Sequence, residues 1–278
     1  MWKTKLCLGI NDHAIALQRM EEWKKIGFEG FFIGWSRGTD LMPLREKADE
    51  LGLDFQSIHA PFGKADRLWK SGPEADDAVA ELIECLHVCA AVRVPIMVMH
   101  AFIGFRDHTP TPEGPRNFAK ILAEAEKCGV TVALENTEGE EYLAALMNAF
   151  PSHPNLGFCW DTGHEMCYNR SQDMLALYGN RLVCTHINDN LGISDFGGKI
   201  TWTDDLHLLP FDGIADWNNI ADRLNAHGYN GTLTFELNRK SKPNRHDNDR
   251  YASMDDADYF ARAYAAACRF AALKERRK

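Results

Sequence analysis

Eight short β-rich apolar runs, strictly alternating with helical stretches along 278 residues, predict an α/β fold of the (β/α)8 TIM barrel type. Three observations carry that reading. Strands that alternate with helices imply βαβ units and a parallel sheet. Eight such units fit the length of one barrel, about 250 residues. The rival, a doubly wound open sheet binding a dinucleotide, wants a GxGxxG turn after the first strand, and none is present. No linker or low-complexity segment interrupts the pattern, so residues 1–278 read as a single domain.

The strands are expected at 5–10, 28–35, 54–60, 94–101, 131–136, 156–161, 182–188 and 231–238. Between them lie stretches of helical period. In one, Val79, Leu82, Ile83, Leu86 and Ala90 fall on a common face at i, i+3, i+4, i+7 and i+11. Gly27, Gly52, Gly129 and Gly228 each precede a strand, where a helix C-cap glycine belongs. Pro73 and Pro115 stand where helices begin. Two connections are long, 189–215 after the seventh strand and 239–254 after the eighth. Long loops within a compact domain are usually functional.

The hydrophobic fraction of 45% and charged fraction of 26% are globular values and exclude disordered and fibrous classes. A net charge of −9 argues against bulk electrostatic binding of nucleic acid. The eight cysteines form no CxxC pair. Cys7, Cys85, Cys89, Cys128, Cys159, Cys184 and Cys268 sit in apolar runs and read as free thiols in a reducing compartment. The N-terminus shows no signal-peptide core, and no apolar run reaches the ~20 residues that span a bilayer. The protein is expected to be cytoplasmic.

The strand ends carry the chemistry. The third ends at His59, the fourth at His100, the fifth at Glu135, the sixth at Asp161, the seventh at His186 and the eighth at Glu236. In a barrel all these ends meet at the C-terminal face, where active sites lie. His164 follows Asp161 by one turn, with Gly163 expected to let the backbone bend so that both point inward. Asp205 and His207, at i and i+2 of the long loop, point to one side if that segment is extended. The set of His, Asp and Glu suits zinc, manganese, iron or cobalt rather than calcium. Buried acids at successive strand ends would repel unless a cation or protons intervene. The core of the metal site is read as Glu135, Asp161, His186 and Glu236, with His59, His100, His164, Asp205 and His207 as further ligands. His13, His87, His108, His153, His227 and His246 read as structural or solvated.

Aromatic residues near the strand ends, Trp35, Phe62, Trp69, Phe102, Phe105, Trp160, Phe196 and Phe211, suit stacking on a sugar ring or a base. Of these, Trp35, Phe62 and Trp160 are taken as substrate contacts, with His164 and Arg239. The top loops also hold Arg37, Lys64, Arg67, Arg106, Lys199, Lys240, Lys242 and Arg245, cations able to grip a phosphate or carboxylate.

The motifs Ser-Ile-His59-Ala-Pro-Phe, Met-His100-Ala, Leu-Glu135-Asn-Thr, Trp-Asp161-Thr-Gly-His164, His186-Ile-Asn-Asp189-Asn and Phe-Glu236-Leu resemble the xylose isomerase-like TIM-barrel superfamily. The resemblance runs from about the second strand to the last helix. Each motif is short; their order and spacing are the specific part. The superfamily contains sugar and sugar-phosphate isomerases and epimerases, and apurinic-site endonucleases of the endonuclease IV type. The tagatose-epimerase-like branch implies one divalent metal, zinc, manganese or cobalt, on Glu135, Asp161, His186 and Glu236. Glu135 and Glu236 would then act as acid and base from two faces of an enediolate, and His164 would contact a substrate hydroxyl. The endonuclease branch implies three zinc ions on all nine residues and a phosphodiester substrate.

Three features favour the sugar branch. The opening Gly9-Ile-Asn-Asp-His differs from that of the endonucleases. The segment Gly34-Trp-Ser-Arg-Gly lacks a DNA-wedging pattern. The run Asp205-Leu-His207-Leu-Leu-Pro-Phe-Asp-Gly213 resembles a loop common among sugar isomerase-like proteins. The arginine that tagatose-type epimerases carry after the seventh-strand histidine is absent, replaced by Asn188, Asp189 and Asn190, so tagatose or psicose specificity is not expected. The expected function is a metal-dependent isomerase or epimerase of carbohydrate metabolism, acting on a small sugar or sugar phosphate. Neither a membrane nor nucleic acid is an expected partner. The resemblance also implies a homo-oligomer, a dimer or tetramer.

Overall fold

A computed structural model describes residues 4–10, 13–106 and 109–278. The side chains of Ile10 and residues 13–15 lie outside that description, and so does His108. The strands are β1 (Leu6–Ile10), β2 (Gly30–Gly34), β3 (Asp54–His59), β4 (Ile96–His100), β5 (Thr131–Glu135), β6 (Leu156–Asp161), β7 (Leu182–His186) and β8 (Leu233–Phe235). All pair in parallel in the order β7-β6-β5-β4-β3-β2-β1-β8. A parallel bridge between Ile187 and Phe235 joins the outer strands and closes the barrel. The expected strands and fold class are therefore observed, with each strand one to three residues shorter than its apolar run at one end or both, apart from β6.

The helices are α1 (His13–Ile26), α2 (Met42–Leu51), α3 (Pro73–Ala91), α4 (Glu113–Cys128), α5 (Glu140–Ala149), α6 (Thr162–Cys167), α7 (Met174–Tyr178), α8 (Trp217–Ala226) and α9 (Asp256–Arg276). Gly52 and Gly129 cap α2 and α4 in the left-handed region, at φ 62° and 64°. The buried face of α3 is Ala75, Ala78, Val79, Leu82, Cys85, Leu86 and Cys89. It is rotated from the expected stripe: Ala90 is exposed, and Cys85 and Cys89 are buried. Small buried thiols behave as apolar groups there. All eight cysteines are free.

Residues two positions before the strand-end ligands fill the barrel interior. Val98, Ala133, Cys159 and Cys184 form a buried layer, and the Gln56 amide reaches across to the Cys184 sulfur at 3.4 Å. On the β2 side, Phe32 stacks on the His186 ring at 4.5 Å between centroids. Its neighbour across the β1–β2 register is Gly9, where a Cβ would lie 2.3 Å from the Phe32 ring. The glycine at that position makes room for the ring that supports His186. No helix among the described residues is long and apolar enough to cross a membrane.

Candidate metal centre

The six strand-end residues and the three that follow converge at the C-terminal mouth of the barrel. Their ligand atoms fall into three groups, each within 4.8 Å internally: Glu135, Asp161, His186 and Glu236; His59, His100 and Glu135; and His164, Asp205 and His207. Glu135 belongs to two groups. Its Oε1 lies 2.6 Å from His186 Nδ1, and its Oε2 lies 3.2 Å from both His59 Nε2 and His100 Nε2. Glu236 Oε2 lies 3.0 Å from the same His186 nitrogen. In the third group, Asp205 Oδ1 lies 2.7 Å from His207 Nε2 and 3.3 Å from His164 Nε2.

Whether these residues fit metal ions is tested by their imidazole tautomers. A carbonyl oxygen only accepts, so a ring nitrogen bonded to one carries the proton. His59 Nδ1 lies 2.9 Å from Ala60 O, His164 Nδ1 3.1 Å from Asn136 O, and His207 Nδ1 3.0 Å from Glu236 O. In the neutral rings each Nε2 is then a lone pair aimed at a carboxylate oxygen. Two electron pairs that face each other across 2.7–3.3 Å require a proton or a cation between them. This is the arrangement of metal-binding histidines, whose second nitrogen is held by a backbone or carboxylate acceptor.

The electrostatics agree. Burial would raise the Glu135 carboxyl, but His186, His100 and His59 hold it well below the usual range. Burial likewise opposes ionisation of Glu236, yet His186 and His207 bring it down to about 2. Burial would lower His207, yet Asp205 and Glu236 push it up to about 9. For Asp161 burial prevails and raises the carboxyl to about 6.

Asparagines whose roles were not legible in the sequence orient the ligands. Asp161 caps α6 by accepting from the His164 backbone N–H at 2.6 Å, so one short helix fixes both ligands. Asn188 donates to Asp161 Oδ2 at 2.9 Å, and Asn136 Oδ1 accepts from the Asp161 N–H at 2.8 Å. Asp189 accepts from Trp217 Nε1 and pins the loop after β7. Asn188 and Asp189 occupy the stretch after the β7 histidine in which tagatose-type epimerases carry an arginine. The signal of these polar residues was present in the motifs Glu135-Asn and His186-Ile-Asn-Asp, but a polar side chain beside a ligand does not disclose its partner.

Other expectations are corrected. Gly163 has no left-handed backbone; it is needed because a Cβ there would lie 1.9 Å from Asn188 Oδ1. Replacing Gly163 by Ala is expected to displace Asn188 from Asp161 and weaken metal retention by about tenfold or more, as loss of outer-shell partners does. Elemental analysis after dialysis checks this. Asp205 and His207 converge, but not by extended alternation, since His207 has φ 49°. Trp160 faces away from the site: its indole N–H donates to Glu165 Oε2 at 2.8 Å, and Arg223 covers its ring. Arg239 is bound to Asp256 and the Tyr251 carbonyl at the start of α9, not to the site. Trp35 is buried and donates to the Thr39 carbonyl in its own loop. Phe62 does reach the mouth, half-exposed and stacked on His100 at 4.5 Å.

A closed parallel barrel with groups of His, Asp and Glu side chains at its C-terminal mouth that could hold a metal ion defines a class of barrel proteins, and the comparisons refine it. Residues 20–262 match the profile of the xylose isomerase-like TIM barrel family, and the chain belongs to that family. An uncharacterized protein, y4fM, from Sinorhizobium fredii (strain NBRC 101917 / NGR234) is 28% identical over 253 residues, covering 79% of this chain and 75% of that protein. A xylose isomerase domain protein from Planctomyces limnophilus has the same fold, with a TM-score of 0.73 at 19% identity, covering 99% of this chain and 98% of that one. L-ribulose 3-epimerase superposes with a TM-score of 0.72 at 16% identity over 98% and 96% of the two chains. The 3-keto-D-glucoside 4-epimerase YcjR from E. coli does so with a TM-score of 0.66 at 16% identity over 95% and 100%. Sugar epimerases are thus among the structural neighbours.

Proposed function

We propose that the protein is a divalent-metal-dependent isomerase or epimerase acting on a sugar or sugar derivative. The observation that carries this reading is the pair of carboxylates, Glu135 and Glu236, converging on one imidazole nitrogen of His186 within a group of four candidate ligands. Glu135, Asp161, His186 and Glu236 would hold the ion. An ion held by these four residues would supply Lewis acidity, polarising a substrate carbonyl and acidifying the adjacent C–H.

The two glutamates have different tasks. Glu135 is enclosed, with both oxygens facing histidines. Glu236 keeps 15% of its side chain exposed at the mouth. Glu236 is therefore the group that takes the proton from carbon, leaving the electron pair in an enediolate, and returns it. Return to the neighbouring carbon from the same face isomerises the sugar. Epimerisation needs a second proton donor on the opposite face.

A second reading, a multinuclear phosphodiesterase, is favoured by the two additional ligand groups. The surroundings argue for a small substrate instead. Arg37, Lys64, Arg67, Lys242 and Arg245 of the top loops are paired with carboxylates, and Arg239 is tied down at α9. A polyanion would need such cations free.

The test is deuterium exchange. Protein loaded with manganese, cobalt or zinc is incubated in D2O with free and phosphorylated aldoses and ketoses and followed by NMR. Exchange at the carbon next to the carbonyl, abolished by Glu236→Gln, is the expected result. Cleavage of bis(p-nitrophenyl) phosphate with no exchange on any sugar would replace this reading by the hydrolytic one.

A further inference from the structure

We infer that Glu138 is the second proton-transfer group of the site, serving the face of the enediolate opposite Glu236, and that the reaction is therefore an epimerisation. The inference rests on the proposed metal-dependent reading and deepens it by choosing between its two outcomes.

Glu138 follows Glu135 by three residues, in the turn between β5 and α5. It is 4% exposed. Its Oε1 accepts from the Gly104 N–H at 2.9 Å, which ties it to the loop after β4. Its Oε2 has no partner, and no cation faces the carboxylate, among the described residues. Its charge acts on His100 and on Tyr168, whose ring lies 4.9 Å from that of His164. The carboxyl therefore stands in the wall of the mouth. The other buried acids among the described residues are accounted for. Glu135, Asp161 and Asp205 belong to the ligand groups, and Glu165 and Asp204 pair with Arg223 and Arg245. Asp189 accepts from the Asn190 and Ala215 N–H groups and from Trp217 Nε1. Glu138 is left with a single N–H. A buried carboxyl so sparsely satisfied is costly to the fold and marks a functional group.

Position gives it the opposite face. Around the closed ring, β8, which Glu236 follows, lies four places from β4 and three from β5. Glu138 joins the loops after β4 and β5, so the two carboxyls stand on opposite sides of the mouth. Glu135 lies on the same side as Glu138, but both its oxygens face histidines. In one direction Glu236 removes the proton from carbon and the electron pair enters the enediolate. The acid form of Glu138 then protonates the same carbon from the other side. In the reverse direction the roles exchange. Each carboxyl recovers its starting state by proton exchange with solvent.

The test uses metal-loaded wild type, Glu138→Gln and Glu236→Gln, with metal content measured on each preparation. Glutamine keeps an oxygen for the Gly104 N–H, so the loop contact survives. Each protein is incubated in D2O with the free and phosphorylated aldoses and ketoses, and NMR reads exchange at carbon separately from epimer formed. Wild type is expected to do both and Glu236→Gln neither. Glu138→Gln is expected to keep exchange through Glu236 while epimer formation falls by about a hundredfold or more, the range of general acid–base catalysis. Equal epimer formation in wild type and Glu138→Gln would overturn the inference. Loss of both exchange and epimer in Glu138→Gln at equal metal content would also overturn it, by making the role structural. Wild type alone supplies a further check, since the first epimer formed is expected to carry solvent deuterium. Transfer of the substrate's own hydrogen to the other face, or a product isomerised without inversion, would overturn the inference and leave the metal-dependent reading intact. No exchange by wild type on any sugar would sink that reading itself, and this inference with it.

Discussion

Replacing Glu135 by glutamine is expected to impair two of the three candidate ligand groups at once, to strip the ion from the four-ligand group and to abolish proton exchange. The carboxylate is the one residue common to the His59–His100 and the His186 groups, each facing a different oxygen. Glutamine keeps the shape but offers one neutral oxygen and an NH2 that repels a cation. Loss of outer-shell partners alone costs 10–100-fold in metal affinity. Loss of a direct ligand is expected to exceed about a hundredfold for the ion held by the four-ligand group. Elemental analysis after dialysis reads the effect directly. The contrast with Glu236→Gln separates the two glutamates: that variant removes a carboxylate from the four-ligand group alone and leaves the His59–His100–Glu135 group whole, so it is expected to abolish exchange with a smaller loss of metal than Glu135→Gln. A Glu135→Gln protein with wild-type metal content would remove the shared-ligand interpretation.

The metal-free protein is expected to lose stability as pH rises from 6.5 to about 9, whereas the metal-loaded protein gains relative to it. The sign follows from His207, whose ordinary value of 6.5 is raised to about 9 in the fold by Asp205 and Glu236 against the effect of burial. A base whose folded pKa is raised contributes stability that is fully present below 6.5 and is lost as pH climbs through about 9. For His207 alone this amounts to roughly 3 kcal/mol. His164 and His186, also raised well above 6.5, act in the same direction. At the acid end, Glu236 is depressed from 4.5 to about 2, so its contribution is present above 4.5 and is lost as pH falls through about 2. Metal ions require the deprotonated imidazoles, so their affinity grows across the interval in which the apo protein weakens. Thermal unfolding with chelator and with zinc, from pH 6 to 9.5, tests this. A chelated protein whose melting temperature is flat across that range would show that the imidazolium–carboxylate pairs do not form.

The barrel and the convergence of its ligands were legible because both depend on repetition. A strand read to end at Glu135 or Asp161 needs no long-range information to be placed at the mouth once the βα unit is recognised. The outward turn of Trp160 follows from the same alternation, whereas its partners and that of Arg239 come from elsewhere in the chain and were not legible. Trp160 precedes Asp161 on the same strand, and a period of two turns it to the outer face, where Glu165 and Arg223 receive it. Arg239 follows Glu236 closely, but its partner Asp256 arrives from α9. The three-way division of the nine ligands was not legible either, since it depends on which oxygen of Glu135 and of Asp205 faces which ring.

The histidines of the mouth take their orientation from main-chain carbonyls at Ala60, Asn136 and Glu236. A carbonyl belongs to every residue type, so substitution at those positions does not remove it. Inheritance can therefore rewrite the walls around the mouth, aromatic here and cationic there, while the aim of the imidazoles is passed on unchanged. A barrel built in this way can acquire new substrates one loop at a time without losing the aim of these rings.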